Sequence, residues 1–577
     1  MRFRRIAVAS LFMSSLCAVP VLAQRGAGRG NAPPPEKPEP GIPVTDSVTI
    51  ARCSGCHHRD DQGNLARISW ERTTPEGWEE AIKRMVRLNG LSITPDDARH
   101  IVKYLATDHG LAPEEAKPVM YIAEHRIQDE TNIPNDTVRG ACVTCHAFGR
   151  PMSWRRSKDD WRLLANLHIA LYPQADAHFR RFAGRGGRGG GSAQQGDPLD
   201  TALNYLAEKA PLHTPEWAAW RARMRAPKLA GRWLVAAHIP GRGEYFGEMV
   251  IEPGAAEDEF ATRVTLKSAK DGTIITRSGH SLVYAGYSWR GRSSVAGAHP
   301  NAPDDPDHQV RETMWFAPDQ LSAEGRWFWG EYQEFGYDVK MQRASSEPTL
   351  VGVDRPSLKT GSEGARIRVF ADNLPSQIAA ADLDFGAGVK LRRIVSHNAS
   401  EIVAEVDVDA NAVSGKRDVV FKRSVLENAI AVYDRVDYIK VVPDTSIARL
   451  GSDVHPKGYE QFEALAYQRG ADNKNGTADD VELGPVDVTW SVEEFITSYG
   501  DDDKDFVGKL NQAGLFTPAS DGPDPLRKFS RNNYGEVWVV ATAKNEKDKD
   551  GKPLIGRSYL VVSVPTYIMW DQPEVSQ

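Results

Sequence analysis

Two C-x-x-C-H motifs restrict what this chain can fold around more than any other feature of its sequence. One reads Cys-Ser-Gly-Cys-His and begins at residue 53, and the other reads Cys-Val-Thr-Cys-His and begins at residue 142. In c-type haem attachment the two thiols form thioethers with the haem vinyl groups, and the adjacent histidine binds the iron. The motifs therefore predict two covalently bound haems c. The attaching residues would be Cys53, Cys56, Cys142 and Cys145, with His57 and His146 as proximal iron ligands.

The N-terminus has the pattern of a secretory signal peptide. Three arginines within the first five residues precede an apolar run that ends at Val21-Leu22-Ala23, which predicts cleavage after residue 23. The run is short for a helix that crosses a bilayer core of about 30 Å. We therefore expect 1–23 to be removed, 24–44 to be a flexible Gly-, Arg- and Pro-rich lead-in, and the mature chain to lie in the periplasm without a membrane span.

Disulfide, redox or zinc roles for the four cysteines other than Cys17 explain the C-x-x-C-H motifs less well than haem attachment does. Cys17 lies in the predicted signal peptide. Disulfides or a redox-active pair would not account for a histidine after both C-x-x-C pairs. A Cys₄ zinc site normally has its pairs within about 15 to 20 residues of each other, whereas 85 residues separate Cys56 from Cys142. Because the haems use every mature cysteine, we expect neither a disulfide nor a cysteine-derived cross-link in this chain.

A six-coordinate haem also needs a distal ligand, and a predicted helix follows each motif. Pro75 opens a helix whose apolar face carries Met85, and a further helix is capped by Thr94. Ser157 begins a helix whose apolar face carries His168. Residues on such faces are also common core residues, so both roles stay open, as does the pairing of ligands with haems. The secondary candidates are His100, His109, His125, His178, Met120 and Met152.

Residue periodicity predicts a multidomain fold that is first helical and then all-β. The dihaem region covers 45–226, and the Gly- and Arg-rich stretch 184–196 within it is interpreted as a solvated insertion. After it the hydrophobic period changes to two. A β-barrel is predicted over 229–345, an immunoglobulin-like sandwich over 346–443 and a second one over 446–577. Segments typical of strands include Arg232–His238, Arg326–Tyr332, Ile402–Val406 and Gly535–Ala541.

Charge and loop composition exclude some other functions. The formal net charge of −7 becomes −10 when three signal arginines are removed, which leaves no basic field for a nucleic-acid partner. Asp472–Glu482 is rich in Asp and Asn around Gly476 and partly fits a calcium loop. Ala471 would occupy its first ligand position and no predicted helices flank it, so a turn-rich loop is the preferred interpretation. The β segments lack a nucleophile-and-base signature and are interpreted as scaffold or docking surfaces.

The chain resembles the α subunit of quinohemoprotein amine dehydrogenase. The resemblance rests on the two C-x-x-C-H motifs and on their order before three β domains. It also rests on Thr74-Pro-Glu-Gly-Trp78 leading to Arg84-Met85, on Val102–Ala106, and on the stretch from Gly476 to Trp490. It covers nearly the whole mature chain, although the Gly- and Arg-rich insertion departs from the family pattern.

The resemblance implies a dihaem cytochrome domain, a β-barrel and two immunoglobulin-like domains. It implies an oxidoreductase complex with a β-propeller chain and a small chain that carries a cysteine tryptophylquinone. The quinone would oxidise a primary amine to an aldehyde and ammonia, and the haems would pass electrons to an external cytochrome c or cupredoxin. The implied His/Met and His/His ligation maps onto His57, Met85, His146 and His168. No catalytic residue is expected in this chain.

A function of another class is compatible with the same residues. The chain would then be a free-standing exported dihaem electron carrier or sensor whose β-sandwich domains dock onto some other partner. A dihaem peroxidase explains less, because it needs an open iron site with acid and base groups that the sequence does not reveal.

Overall fold

The structure is a computed structural model that describes residues 39–120, 133, 135–143, 148–185 and 198–565. The predicted signal peptide and most of the lead-in lie outside the described residues, as do Cys145, His146, His125 and most of the Gly- and Arg-rich insertion. Among the described residues, none of the helices combines the length and the apolar character that a membrane crossing requires.

The N-terminal region is helical, as predicted. Its helices are α1 (Ser47–Cys53), α2 (Pro75–Asn89), α3 (Pro95–Asp108), α4 (Pro113–Ala116), α5 (Asp136–Cys142), α6 (Gly149–Met152), α7 (Lys158–Leu171), α8 (Pro173–Arg185), α9 (Pro198–Lys209) and α10 (Pro215–Arg223). Short 3₁₀ helices cover Ile68–Trp70 and Lys117–Val119, and two three-residue strands are β1 (Glu71–Thr73) and β2 (Trp154–Arg156). Below, the first lobe is residues 41–120 and the second lobe is the described part of 133–225.

Side-chain caps explain where three of these helices begin. The Thr74 hydroxyl accepts from the backbone of Gly77 at the start of α2, and the Ser157 hydroxyl accepts from Asp160 at the start of α7. Thr94 caps α3 in the same way. Each cap satisfies a backbone N–H that the helix itself leaves without a partner, so the predicted starts of these helices are confirmed.

The second region is a closed antiparallel barrel of eight strands, which confirms the predicted barrel. The strands are β3 (Gly231–Ile239), β4 (Gly243–Pro253), β5 (Glu259–Ser268), β6 (Ile274–Tyr284), β7 (Ser288–Ser294), β8 (Val310–Phe316), β9 (Ser322–Trp329) and β10 (Phe335–Arg343). Large buried side chains such as Trp233, Trp289 and Trp327 fill it. The strand predicted over Arg326–Tyr332 is displaced, because positive φ at Gly330 turns the chain after Trp329.

The third region is a sandwich of two four-stranded sheets around one core. Its strands are β11 (Thr349–Val353), β12 (Ser357–Lys359), β13 (Ala365–Asp372), β14 (Leu383–Asp384), β15 (Val389–His397), β16 (Glu401–Val408), β17 (Gly415–Phe421) and β18 (Ser424–Tyr433). The sheet orders are β11-β13-β16-β15 and β12-β18-β17-β14. Inward residues such as Ile367 and Ile402 of one sheet share a core with Phe421 and Ile430 of the other.

The last region is also built from β-sheets. Its elements are β19 (Tyr438–Val442), β20 (Thr445–Arg449), β21 (Glu460–Gln461), β22 (Glu463–Gln468), β23 (Val481–Pro485), β24 (Val488–Glu494), α11 (Asp503–Phe506), β25 (Gly508–Leu510), β26 (Leu515–Pro518), β27 (Gly535–Lys547) and β28 (Pro553–Ser563). Sheets of order β19-β22-β23, β20-β28-β27-β24 and β21-β26-β25 enclose a core that contains Phe462, Val539 and Leu560.

The Asp- and Asn-rich loop between β22 and β23 is closed by its own hydrogen bonds. The Asp480 carboxylate accepts from the backbone N–H of Gly476 and of Thr477 and from the hydroxyl of Tyr438. Asp479 accepts from the Thr477 hydroxyl at 2.9 Å. Because these donors already engage the carboxylates, the geometry supports the turn-rich loop.

The barrel contacts the first lobe through specific polar groups. The Arg290 guanidinium on β7 pairs with Glu76 on α2. The Tyr287 hydroxyl donates to the Leu111 carbonyl at 2.9 Å, and Lys103 pairs with Asp258. The helical region therefore rests directly on the barrel surface.

The two lobes are joined by β1 and β2, which pair as antiparallel neighbours with Arg72 opposite Arg155. Both guanidinium groups are buried and bind one carboxylate, that of Glu115. Arg72 contacts it through two nitrogens at 2.8 and 3.0 Å, and Arg155 Nε lies 3.2 Å from it. The Ala112 N–H and the Thr214 hydroxyl also donate to Glu115, so both of its oxygens have partners.

Replacing Glu115 should open this junction. Burial raises the pKa of Glu115, but hydrogen bonds and charge from Arg72 and charge from Arg155 outweigh it and hold the pKa at about 2 instead of 4.5. The stabilisation is therefore present at neutral pH and is lost only as the pH falls from about 4.5 towards about 2. Glu115→Gln leaves two buried cations without a counter-charge and should cost about 3 kcal/mol or more.

Hydrogen exchange measures this cost at the ends of the paired strands, where the Thr73 N–H donates to the His109 carbonyl and the Arg156 N–H donates to the Ala210 carbonyl. We expect their exchange to accelerate by about a hundredfold or more in Glu115→Gln at pH 7. The control is Glu405→Gln, which removes a half-buried carboxylate in the third region, where it is bound by Arg393, and should leave these amides unchanged. Equal protection in both variants would contradict the assigned role of Glu115.

Candidate functional site

The first C-x-x-C-H motif begins at the end of α1. Asp46 caps this helix by accepting from the Thr49 backbone, and Cys53 is its last residue. Cys53 is half-buried and packs in an apolar cluster with Ala81 and Ile82 of α2. Cys56 is exposed. The fold therefore places Cys53 and α2, the helix that carries Met85, around one apolar cluster, as a shared haem pocket requires.

The histidine of this motif is held in the orientation that suits an iron ligand. His57 Nδ1 lies 2.8 Å from the Ala66 carbonyl oxygen, and the Ala66 N–H donates to the His58 carbonyl at 2.9 Å. Since a carbonyl only accepts, Nδ1 carries the proton and Nε2 is the nitrogen suited to bind a metal. Metal-binding histidines usually donate their other N–H in this way, so His57 fits haem ligation.

Met85 lies on the same side of α2 as Ala81 and Ile82, which belong to the apolar cluster of Cys53. Its side chain is half-buried, one turn beyond Ala81 and Ile82, and its sulfur accepts from Asn89 Nδ2 at 3.6 Å. A thioether with this partial exposure, beside an apolar cluster that includes Cys53, fits the distal position of the first haem.

The second motif begins in the same way, at the end of α5. Asn135 caps this helix, and Cys142 is its last residue. Cys142 packs in an apolar cluster with Ala202 and Tyr205 of α9. Cys145 and His146 lie outside the described residues, so their predicted roles remain expectations.

His168 lies on α7, which packs against α9 through Trp161 and Leu206. Its Nδ1 lies 2.9 Å from the carbonyl oxygen of Leu164, one turn earlier in the helix. As at His57, the carbonyl places the proton on Nδ1, so Nε2 is the nitrogen suited to iron. Helix α9 contacts both α5, which ends at the second motif, and α7, which carries His168. The second motif and His168 therefore lie on helices that pack against the same helix.

The first thiol of each motif is unsuited to disulfide exchange. Burial raises the pKa of Cys53 to about 11, with smaller contributions from Asp46 and Cys56, and burial also raises the pKa of Cys142 to about 11. A redox-active C-x-x-C pair depends on a thiolate, which needs a lowered pKa. This electrostatic setting argues against a redox-active dithiol at either motif.

The two lobes repeat the same order of elements. In each, a capped seven-residue helix ends at the first motif cysteine, a three-residue strand follows, and a hydroxyl residue caps a long helix. The capping residues are Thr74 and Ser157. A buried tryptophan follows each cap by four residues, at Trp78 and Trp161, and the candidate ligands Met85 and His168 follow each cap by eleven.

Hydrogen bonds confirm this correspondence. The Trp78 indole donates to the His109 carbonyl, and the Trp161 indole donates to the Ala210 carbonyl. The same two carbonyls accept the N–H of the last residue of β1 and of β2, respectively. Each accepting residue directly follows a helix, α3 or α9, that carries Tyr-Leu-Ala at 104–106 or 205–207.

The lobes differ most after the candidate distal ligands. Nineteen residues separate Met85 from Tyr104 in numbering, whereas thirty-seven separate His168 from Tyr205. The additional chain contains α8 and the Gly- and Arg-rich stretch. His178 on α8 lies 2.7 Å, through Nε2, from the Gly140 carbonyl of α5, which places this secondary candidate beside the second motif.

The other described secondary candidates have structural surroundings. His100 pairs with Asp46 at 2.9 Å on the surface. His109 is fully buried beside Trp78, and burial lowers its pKa to about 3. Met152 packs against the clusters that contain Trp161 and Val138.

The internal repeat was missed by the sequence reasoning, although its signal is present. Tyr-Leu-Ala recurs at 104 and 205, and a hydroxyl cap followed by tryptophan and by a ligand-type residue recurs at the same spacing. Each short element is common by itself, and only their shared order identifies the duplication.

Among the described residues, one group of three carboxylates is close enough to hold a metal ion: Glu494, Asp501 and Asp503. It lies in the last β region. The Arg527 guanidinium pairs with Asp503, and Arg531 Nη2 lies 3.9 Å from Asp501. Two guanidinium groups already offset much of the charge of this group, so the haem lobes remain the candidate redox site.

Two solved structures have a weak similarity to the chain, and no curated protein matches it. A redesigned beta barrel is 14% identical, with 21% of this chain and 98% of that chain covered and a TM-score of 0.17. Human protocadherin-24 EC1-2 is 14% identical, with 39% and 98% covered and a TM-score of 0.14. TM-scores of this size carry no argument about the fold or function.

Four family models match most of the chain. The model described as quinohemoprotein amine dehydrogenase A, alpha subunit, haem binding, matches residues 44–183. The models of alpha subunit domains II, III and IV match residues 226–344, 347–434 and 439–575. The family forms part of an amine dehydrogenase complex, and its haem-binding model spans both C-x-x-C-H motifs. The chain therefore belongs to the alpha subunit family of quinohemoprotein amine dehydrogenase.

Proposed function

We propose that this chain is the dihaem electron-transfer subunit of a periplasmic amine dehydrogenase. The observation that carries the proposal is the repeated lobe, in which each C-x-x-C-H motif is followed by a helix with a candidate distal ligand at the corresponding position. Two such lobes provide two one-electron carriers in one chain. The domain limits expected from the sequence, 45–226, 229–345, 346–443 and 446–577, are part of this proposal.

The correspondence between the lobes also suggests which ligands belong together. Met85 is on the helix that shares an apolar cluster with Cys53 of the first motif, so we pair Met85 with His57. His168 is on the corresponding helix of the second lobe, so we pair it with His146. The cysteines Cys53, Cys56, Cys142 and Cys145 would hold the two haems covalently.

A bound haem supplies an iron that accepts and releases one electron at a time. The Ala66 carbonyl holds His57 Nδ1, and the Leu164 carbonyl holds His168 Nδ1, so that each Nε2 can face a metal. Different distal ligands give haems different potentials. A Met-ligated and a bis-His haem would therefore differ in reduction potential. Electrons would pass from the haem of lower potential to the haem of higher potential.

The oxidation of the amine is assigned to a partner chain. When a primary amine is oxidised to an aldehyde and ammonia, water supplies the aldehyde oxygen and two electrons and two protons are released. A cysteine tryptophylquinone is the oxidant that would accept this electron pair. Forming that quinone uses a cysteine, and the haems take all four cysteines after Cys17. We therefore place the quinone on a small partner subunit, beside a β-propeller subunit, with an external cytochrome c or cupredoxin as electron acceptor.

The number of haems can be counted directly. Chain produced in a host that matures c-type cytochromes should gain the mass of two haems, because each motif supplies two thiols. Denaturing mass spectrometry measures this gain. Cys53→Ala/Cys56→Ala and Cys142→Ala/Cys145→Ala are matched variants, and each should retain one haem. A haem-free mass for the unsubstituted chain would contradict the proposal.

The ligand pairing predicts separate effects of two substitutions. Met85→Ala should abolish the Met-to-iron absorption band at the red end of the visible spectrum and lower one reduction potential, because a thioether stabilises ferrous iron. His168→Ala should change the other haem and leave this band intact. Spectroelectrochemistry of the holoprotein resolves both effects. If neither variant alters a spectrum or a potential, Met85 and His168 are core residues rather than ligands.

The division of labour predicts where amine oxidation occurs. The isolated haem-loaded chain should accept electrons from a chemical reductant but give no aldehyde from a primary amine. In the native complex, added amine should reduce both haems, as followed by their absorbance. Amine turnover by the isolated chain would disprove the assignment, and so would haems that stay oxidised in the complex when amine is present.

A further inference from the structure

The backbone beside the first motif contains a strained residue. Arg67 has φ +72° and ψ −54°, a γ-turn conformation that is rare and costly for a residue with a Cβ atom. Such strain persists only where surrounding contacts hold it, and it is concentrated at functional sites. Arg67 directly follows Ala66, whose carbonyl accepts the hydrogen bond from His57 Nδ1 at 2.8 Å.

The φ angle of Arg67 helps to set the direction of that carbonyl. The peptide group that joins residues 66 and 67 is planar, so rotation about the N–Cα bond of Arg67 turns the whole group. A change to an ordinary negative φ would swing the Ala66 carbonyl away from the His57 imidazole unless the neighbouring chain also moved. The hydrogen bond from His57 to the Ala66 carbonyl therefore depends on the positive φ of Arg67.

Groups around the side chain of Arg67 hold it in place. Arg67 Nε donates to Asp160 Oδ1 of the second lobe at 2.8 Å, and Arg67 Nη2 lies 3.8 Å from Glu71. The Asp160 side chain is 3% exposed and is also paired with Arg156. Asp160 is consequently a fixed anchor, and the strained turn is tied across the junction between the lobes.

The second lobe has a corresponding arginine without the strain. Arg150 precedes its helix cap, Ser157, by seven residues, as Arg67 precedes Thr74. Arg150 pairs with Glu80 on α2, so each lobe extends an arginine to a helix of the other. Arg150 lies in α6 and does not have positive φ. The strain is therefore a special feature of the chain behind His57.

We propose that Arg67 is a positioning residue for the proximal ligand of the first haem. Its ion pair with Asp160 holds the strained turn, and the turn aims the Ala66 carbonyl at His57 Nδ1. A hydrogen bond from Nδ1 makes the imidazole a stronger donor to iron, which favours ferric iron and keeps the reduction potential of this haem low. The inference rests on the proposed function, because it takes His57 as an iron ligand.

Two substitutions separate the backbone contribution from the charge. Arg67→Ala and Arg67→Gly both remove the guanidinium and its ion pairs, but only Gly adopts positive φ without strain. The experiment measures the potential of the Met-ligated haem in the haem-loaded full chain, followed through its Met-to-iron absorption band. Arg162→Ala is the control, because it removes an exposed ion pair with Asp200 in the second lobe.

We expect Arg67→Gly to retain the turn and Arg67→Ala to relax it. The equilibrium constant for one-electron reduction of this haem should be about threefold larger in the Ala variant than in the Gly variant. Because a tenfold change corresponds to about 59 mV, the reduction potential should be about 28 mV higher in the Ala variant. Exchange of the His57 Nδ1 proton should also be faster in the Ala variant. Arg162→Ala should leave the potential of this haem unchanged.

Equal potentials and equal proton exchange in the Gly and Ala variants would overturn the positioning role, because charge loss alone affects both equally. A wild-type chain without covalent haem, or without the Met-to-iron band, would instead contradict the proposed function. The two failures are therefore distinguishable.

Discussion

The helical region depends on a buried carboxylate that two arginines share. Arg72 and Arg155 face each other across the β1–β2 pair, and Glu115 binds both. Taking one carboxylate and two guanidinium groups out of water is expensive, and dense hydrogen bonding is what makes such burial tolerable. Arg72 also donates to the carbonyls of Leu212 and Gly110, so its nitrogens reach both lobes. Neither lobe could keep these charges buried without the other.

The environment of this carboxylate breaks the symmetry of the duplicated lobes. Glu115 is the third residue of α4, and the third residue of α10 is Trp217. The Arg72 guanidinium carbon lies 4.7 Å from the Trp217 ring centroid, in a cation–π arrangement. One lobe thus contributes the anion and the other contributes an aromatic face. The Glu115 carboxylate neutralises charge on Arg72, whereas the Trp217 ring shields the guanidinium from solvent.

Much of the architecture could be predicted from sequence because its signals are local. Thr74, Pro75 and Ser157 mark helix starts through caps and backbone geometry that involve only neighbouring residues. The change to period two at β3 likewise indicates the all-β regions, because one face of each strand is buried. The motif residues Cys53 and His57 were identifiable for the same reason, since a fixed spacing carries their chemistry.

The junction between the lobes could not be predicted, because its signals are either too short or not local. Strand β1 has three residues, all buried, so it shows no alternation. Charged residues such as Arg72 and Arg155 are normally exposed, and only partners brought together by the folded chain explain their burial. The strained angle at Arg67 also has no local signal, since glycine is the residue expected at positive φ.

The different partners of Arg72, Glu115 and Trp217, restrict which substitutions the two lobes can accept during evolution. If the duplicated helices had kept identical third residues, the junction would hold either two carboxylates or two tryptophans beside its two arginines. Positions 115 and 217 therefore belong to one site, although they lie in different lobes of the repeat. A substitution at one alters which residues are acceptable at the other, so the two positions are expected to covary among related chains.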